Sequence, residues 1–121
     1  MINLDLLTKS FRYAIHGVRV VFASEQSFRL QCLVAAAVMV LAVALQVNRL
    51  EFVLLVLLSG AVLTLELVNS VFERIVDGFK PRLNPMVADI KDIMAAAVLI
   101  ASAVAAVVGA VIFLPRLSAL F

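Results

Sequence analysis

Three stretches of this chain, residues 30–47, 52–72 and 93–115, are long, apolar and almost free of charge. Each approaches the roughly 20 helical residues needed to cross a hydrocarbon core about 30 Å thick. Inside lipid there is no water to bond an exposed N–H or C=O, so a spanning segment must close its backbone hydrogen bonds internally. That restricts the chain to three transmembrane helices. Composition agrees, since 65% of the 121 residues are hydrophobic, against roughly 45–50% apolar residues in soluble domains, and mean hydropathy is +1.18. The first span carries no charge, the second includes Glu66, and the third is expected to end at Pro115, whose nitrogen has no proton to continue the ladder. Residues 48–51 alone separate the first two spans, which makes them an antiparallel hairpin. A single cysteine, Cys32, excludes an intrachain disulfide and a zinc site built on thiolates.

Orientation follows from the basic residues. Lys9, Arg12, Arg19 and Arg29 precede the first span, and Arg74, Lys80, Arg82 and Lys91 lie between the second and third, whereas Arg49 and Arg116 flank the other side. The positive-inside rule therefore places the N-terminus and the segment joining the second and third spans in the cytoplasm. Residues 8–28 read as an amphipathic helix on the cytoplasmic leaflet. Phe11, Tyr13, Ile15, Val18 and Phe22 approximate one face, and Lys9, Arg12, His16 and Arg19 take much of the other. A plain surface anchor and a platform over a lipid substrate both suit such a helix. Glu25 favours the platform, because an acid beside an anionic membrane surface gains only if a cation or metal offsets it.

The second span raises the sharper question. At 100° per residue, Glu66, Asn69, Glu73 and Asp77 project at roughly 0°, −60°, −20° and +20°, so they form one polar stripe on a helix that extends to about residue 78. With a rise of 1.5 Å per residue from Phe52, Glu66 lies about 21 Å along the span, within a third of the core from the cytoplasmic boundary. An ionisable group at that depth costs several kcal/mol unless it is paired or faces a protected cavity, which makes it a functional candidate. A protonated acid glueing two helices is the simpler alternative. It accounts for Glu66 but poorly for four aligned polar residues.

The carboxylates also indicate a ligand. Mg²⁺ takes oxygen ligands and is commonly held by one or two carboxylates plus substrate phosphates, a requirement that Glu25 and Glu73 meet near one interface. Residues 79–90 form the connecting loop, and Lys80, Arg82 and Lys91 supply cations for phosphate oxygens. No GxxxxGK[ST], GxGxxG or kinase catalytic-loop triplet occurs. A phosphotransferase of this sequence has to build its site from helices at a membrane interface.

The run from Glu66 through Asn69, Ser70 and Glu73 to Asp77, followed by Lys91 and Asp92 at the third span, resembles the prokaryotic diacylglycerol kinase family, which includes undecaprenol kinase. The resemblance covers nearly the whole chain, including the amphipathic N-terminal helix and the segment SEQSFRLQ. It implies an all-α homotrimer with active sites shared between subunits, in the bacterial inner membrane, transferring the γ-phosphoryl of MgATP to a lipid hydroxyl. It further implies Glu66 as general base and Glu25 and Glu73 as magnesium ligands. Tyr13, Asn69, Asp77, Lys91 and Asp92 fall around the nucleotide with Glu25 and Glu73, as do Arg82, Leu83 and Asn84 at the phosphates. Arg19, Ser27, Arg29 and Gln31 match positions near the lipid, beside Glu66. Val71 stands where the family usually has a small residue, and the chain has no tryptophan. The missing tryptophans, the Lys80-Pro81-Arg82 loop and the FLPRL exit favour undecaprenol slightly over diacylglycerol as acceptor, with a role in phospholipid or lipid-carrier recycling.

Two other classes remain open at this level. A small proton- or cation-conducting oligomer would use Glu66 as its relay, but it leaves Glu25, Glu73, Lys91 and Asp92 without a purpose. A structural membrane subunit would draw on the small residues of the third span, among them Ala97, Ala101, Ser102, Ala105 and Gly109, which allow close helix contact under any of the readings.

Overall fold

The computed structural model describes residues 1–78 and 85–121. Among them the chain forms four helices and no strand: α1 (Leu4–Ser24), α2 (Gln26–Ala44), α3 (Arg49–Gly78) and α4 (Pro85–Ser118). The last three are long and apolar enough to cross a membrane. This is an all-α membrane architecture of three spans and an amphipathic N-terminal helix.

Local chemistry sets the ends. Asn3 caps α1 by accepting from the N–H groups of Asp5 at 3.0 Å and Leu6 at 3.4 Å, which satisfies donors that have no partner inside the helix. The amphipathic segment, expected over 8–28, stops at Ser24, because Glu25 takes an extended conformation at φ −124° and ψ 117°. Glu25 serves both neighbours at once. Its N–H donates to Val21 O at 2.9 Å and its C=O accepts from Arg29 N at 3.3 Å, so α1 and α2 meet with one residue between them. The Arg29 guanidinium donates to Phe22 O at 2.7 Å and Ala23 O at 3.0 Å, covering the last carbonyls of α1. Phe22 and Phe28 close the corner edge to face, with centroids 6.5 Å apart at 84°.

The α2–α3 hairpin turns through Gln46, whose φ of 55° lies in the left-handed region. α3 then starts on a reciprocal cap: Glu51 N donates to Asn48 Oδ1 at 2.8 Å, and Asn48 N donates to Glu51 Oε1 at 3.1 Å. α4 begins at Pro85, inside the stretch expected to be loop, and its first turns therefore precede the apolar run. Pro115 does not end it. The missing proton removes one ladder bond near the terminus, and Ala119 N still reaches Pro115 O at 3.2 Å, so the helix completes another turn.

α3 is the central element, packed on α4 most extensively and then on α2. A small core of Ala42, Leu55, Ile112 and Phe113 knits the three together. It lies at the hairpin end, where Arg116 donates to Glu51 Oε2 at 3.0 Å and so ties α4 to the start of α3. Only 11% of the apolar stretch of α2, 17% of that of α3 and 11% of that of α4 is buried within the chain. Most of the apolar surface therefore faces outward, as it does in a chain solvated by lipid or by further helices.

Candidate active site

At the end of the bundle opposite the apolar core, the polar stripe of α3 meets the corner between α1 and α2. The period of the helix accounts for the stripe, and the extended conformation of Glu25 accounts for the corner, where Ser24, Glu25 and Ser27 all meet α3. Glu66 is buried at 3% exposure and Ser70 at 1%. Neither is left without a partner. Ser27 Oγ donates to Glu66 Oε2 at 3.3 Å, and Ser70 Oγ donates to Glu25 Oε1 at 2.7 Å. A hydroxyl thus meets a carboxylate in both directions, one from α2 to α3 and one from α3 to the corner.

Further along the stripe, Asn69 Nδ2 donates to Glu73 Oε1 at 3.3 Å, one helical turn apart. Arg74 Nη2 donates to Ser24 Oγ at 2.9 Å, and its Nε donates to Ser70 Oγ at 3.4 Å. Lys91 of α4 pairs with Asp77 at 3.2 Å, which brings the third span to the same end. Ser24, Glu25, Ser27, Glu73, Arg74 and Asp77 line a cavity of about 430 Å³, and Glu66 sits one layer deeper behind Ser27. A second cavity, about 260 Å³ and mostly apolar, runs between α2, α3 and α4. Gln31 lines it and donates to Ser102 Oγ at 3.2 Å.

The residues expected from sequence are distributed unevenly. Glu25, Ser27, Glu66, Asn69, Glu73, Asp77 and Lys91 converge on the site through the bonds above. Arg29 lies beside it but spends its guanidinium on the carbonyls of α1, and Gln31 sits between Glu66, within hydrogen-bonding reach, and Ser102 of α4, to which it donates. Tyr13, Arg19 and Asp92 are exposed, and the described bonds do not draw them to the cluster. Arg82, Leu83 and Asn84 lie outside the described residues. Three contributors were given no place in the site from sequence: Ser24, Ser70 and Arg74. Ser70 and Arg74 carried a usable signal, as they follow Glu66 at steps of four along the same helix. Ser24 carried none, since its proximity depends on how α1 meets α3.

The chemistry of this arrangement is that of an acid-lined pocket with a deeper, desolvated carboxylate. Glu25 and Glu73 each accept a hydrogen bond at Oε1, and no described bond engages Oε2 of either. Among the described residues no group of three or more acidic, histidine or cysteine side chains is arranged to hold a metal. Two carboxylates suit a magnesium that arrives with phosphate ligands better than one caged by protein alone.

A family profile, prokaryotic diacylglycerol kinase, matches residues 12–113. The chain is 30% identical over 115 residues to an undecaprenol kinase of Bacillus subtilis, covering 95% of this chain and 94% of that protein. It is 37% identical over 115 residues to a diacylglycerol kinase of Synechocystis, covering 94% of this chain and 66% of that one. A diacylglycerol kinase of Haemophilus influenzae is 30% identical over 112 residues, with 92% of this chain and 95% of that protein covered.

Proposed function

Because the chain belongs to the prokaryotic diacylglycerol kinase family and is an ATP-dependent lipid kinase, we propose that it moves the γ-phosphoryl group of MgATP onto a lipid hydroxyl at the corner between α1, α2 and α3. The observation that carries this reading is the pairing of a buried carboxylate, Glu66, with an acid-lined cavity one layer above it. Glu66 takes the proton of the lipid hydroxyl as the lipid oxygen attacks the γ-phosphorus. The bond from that phosphorus to the bridging oxygen breaks, and ADP leaves. Desolvation and a fixed position suit a carboxylate to this task, and Ser27 supplies the positioning through its 3.3 Å bond.

Glu25 and Glu73 would hold the magnesium of MgATP, which when bound would neutralise charge on the phosphates. Asn69, Asp77 and Lys91 lie on the nucleotide side of Glu66, and Tyr13, Arg82, Leu83, Asn84 and Asp92 complete the nucleotide site in the assembled protein. Arg19, Ser27, Arg29 and Gln31 border the lipid. A homotrimer with shared sites gives exposed α1 residues such as Tyr13 a place beside a neighbouring chain's cavity, and it covers part of the apolar surface that one chain leaves outward. The site then faces the cytoplasm from the inner membrane, following the lysine and arginine asymmetry.

As acceptor we favour undecaprenol slightly over diacylglycerol. Relatives of both names match along nearly the full length of both chains, so the preference rests on this chain's lack of tryptophan. A proton-conducting role for Glu66 would leave the acid-lined cavity idle. The deciding experiment incubates the purified protein with γ-labelled ATP, Mg²⁺ and a panel of undecaprenol, diacylglycerol and shorter polyprenols. Label on undecaprenol first supports the assignment. Label on diacylglycerol alone reverses the acceptor, and label on no lipid overturns the reading.

A further inference from the structure

The mechanism above leaves Arg74 unused, although it lines the cavity together with Glu25, Glu73 and Asp77. Three carboxylates repel an entering phosphate chain. Asp77 is offset by Lys91 at 3.2 Å, and a magnesium offsets charge on Glu25 and Glu73, so the phosphates themselves still need a cation. Arg74 is the cation among the described lining residues. It forms no ion pair with a described carboxylate, and its hydrogen bonds go to the neutral hydroxyls of Ser24 at 2.9 Å and Ser70 at 3.4 Å. A guanidinium has five N–H donors in a planar fork. Nε and Nη2 are engaged here, which leaves the donors of Nη1 for a ligand.

Ser70 also donates to Glu25 at 2.7 Å, so one buried hydroxyl fixes the guanidinium and a candidate magnesium ligand relative to each other. That places a cation and a metal-binding carboxylate on a single rigid frame, the arrangement needed to grip one phosphate chain from two sides. A planar fork matches phosphate oxygens in a bidentate way that a lysine ammonium does not. We propose that Arg74 is a phosphate-gripping residue of the nucleotide site, held ready by Ser24 and Ser70. This rests on the reading of the cavity as the nucleotide site.

The test uses the full chain in nanodiscs of purely zwitterionic lipid, and measures both the dissociation constant of a non-hydrolysable MgATP analogue and the steady-state constants for lipid phosphorylation. Arg74→Gln is expected to weaken the analogue and raise KM for MgATP by about tenfold, the worth of one charge-assisted hydrogen bond. Its kcat, KM for lipid and melting temperature stay close to wild type. Arg74→Lys restores part of the affinity, because it returns the charge without the fork, and it decides the question should Arg74→Gln not assemble. A clamp that only holds α1 to α3 would instead move kcat, lipid KM and melting temperature together, which overturns the proposal. So does unchanged nucleotide affinity in Arg74→Gln, or full wild-type affinity in Arg74→Lys. A deficit that appears only when anionic lipid is added assigns Arg74 to lipid headgroups and also overturns it. If Glu73→Gln weakens the analogue while Arg74→Gln does not, the Arg74 assignment falls alone. If the wild type neither binds the analogue nor labels lipid, the nucleotide-site reading falls with it.

Discussion

Replacing Glu66 by Gln separates catalysis from architecture. The residue is 3% exposed and accepts a hydrogen bond from Ser27 Oγ at 3.3 Å. Glutamine has nearly the same shape and keeps a carbonyl oxygen at that position, so the bond to Ser27 survives. What it loses is the ability to take a proton. General-base catalysis is worth about 10²- to 10⁴-fold, and at about 1.4 kcal/mol per factor of ten the lower end corresponds to roughly 3 kcal/mol of transition-state stabilisation. Lipid phosphorylation in nanodiscs, followed with γ-labelled ATP, is therefore expected to fall at least about 100-fold in kcat. Folding should not suffer, because a neutral amide at this depth costs less than an ion. Size-exclusion behaviour, melting temperature and binding of a MgATP analogue should all match the wild type. Two results refute the reasoning. Turnover within a few-fold of wild type would show that Glu66 is not the base, and loss of assembly with the oligomer disrupted would show that the carboxylate holds helices together.

Glu73→Gln should raise the Mg²⁺ concentration needed for half-maximal activity and weaken MgATP binding by about tenfold, while leaving the melting temperature unchanged; titration of metal and nucleotide into both proteins checks this. Arg29→Ala removes two hydrogen bonds to the carbonyls of Phe22 and Ala23, so amide exchange should quicken at the C-terminal turn of α1; a change in lipid KM with exchange unaltered would assign Arg29 to the substrate instead of the helix end. Phe113→Ala truncates a side chain of the core at the far end of the bundle, and should lower thermal stability by about 3 kcal/mol with KM for MgATP unchanged.

The spans and the stripe were legible from sequence for the same reason: both depend on the chain's own periodicity and on the solvent. Lipid offers no hydrogen bonds, so an apolar run of that length has to be helical, and a helix of 3.6 residues per turn puts Glu66, Asn69, Glu73 and Asp77 on one side whatever surrounds it. The ends of the helices were less legible. Pro115 removes one ladder bond, yet the chain beyond it still closes a turn, and α4 starts at Pro85, ahead of the apolar run. Such boundaries depend on small differences between competing local hydrogen bonds.

Tertiary structure alone decided which groups from α1 and α2 answer the stripe on α3. Ser24 and Ser27 flank an extended Glu25, and their hydroxyls reach Arg74 and Glu66 on α3 only because the chain breaks at that one residue. The sequence separations are 50 residues for Ser24 and Arg74 and 39 for Ser27 and Glu66. No helical or strand period connects positions so far apart. Their distance is set by how α1 and α2 pack against α3, the three helices on which Val21, Phe28 and Val76 are buried. A single chain could therefore announce its acids and, through the helical step, Ser70 and Arg74, whereas the hydroxyls of Ser24 and Ser27 that meet them belong to the packing, which is a property of side-chain shape across elements and leaves no periodic trace in the sequence.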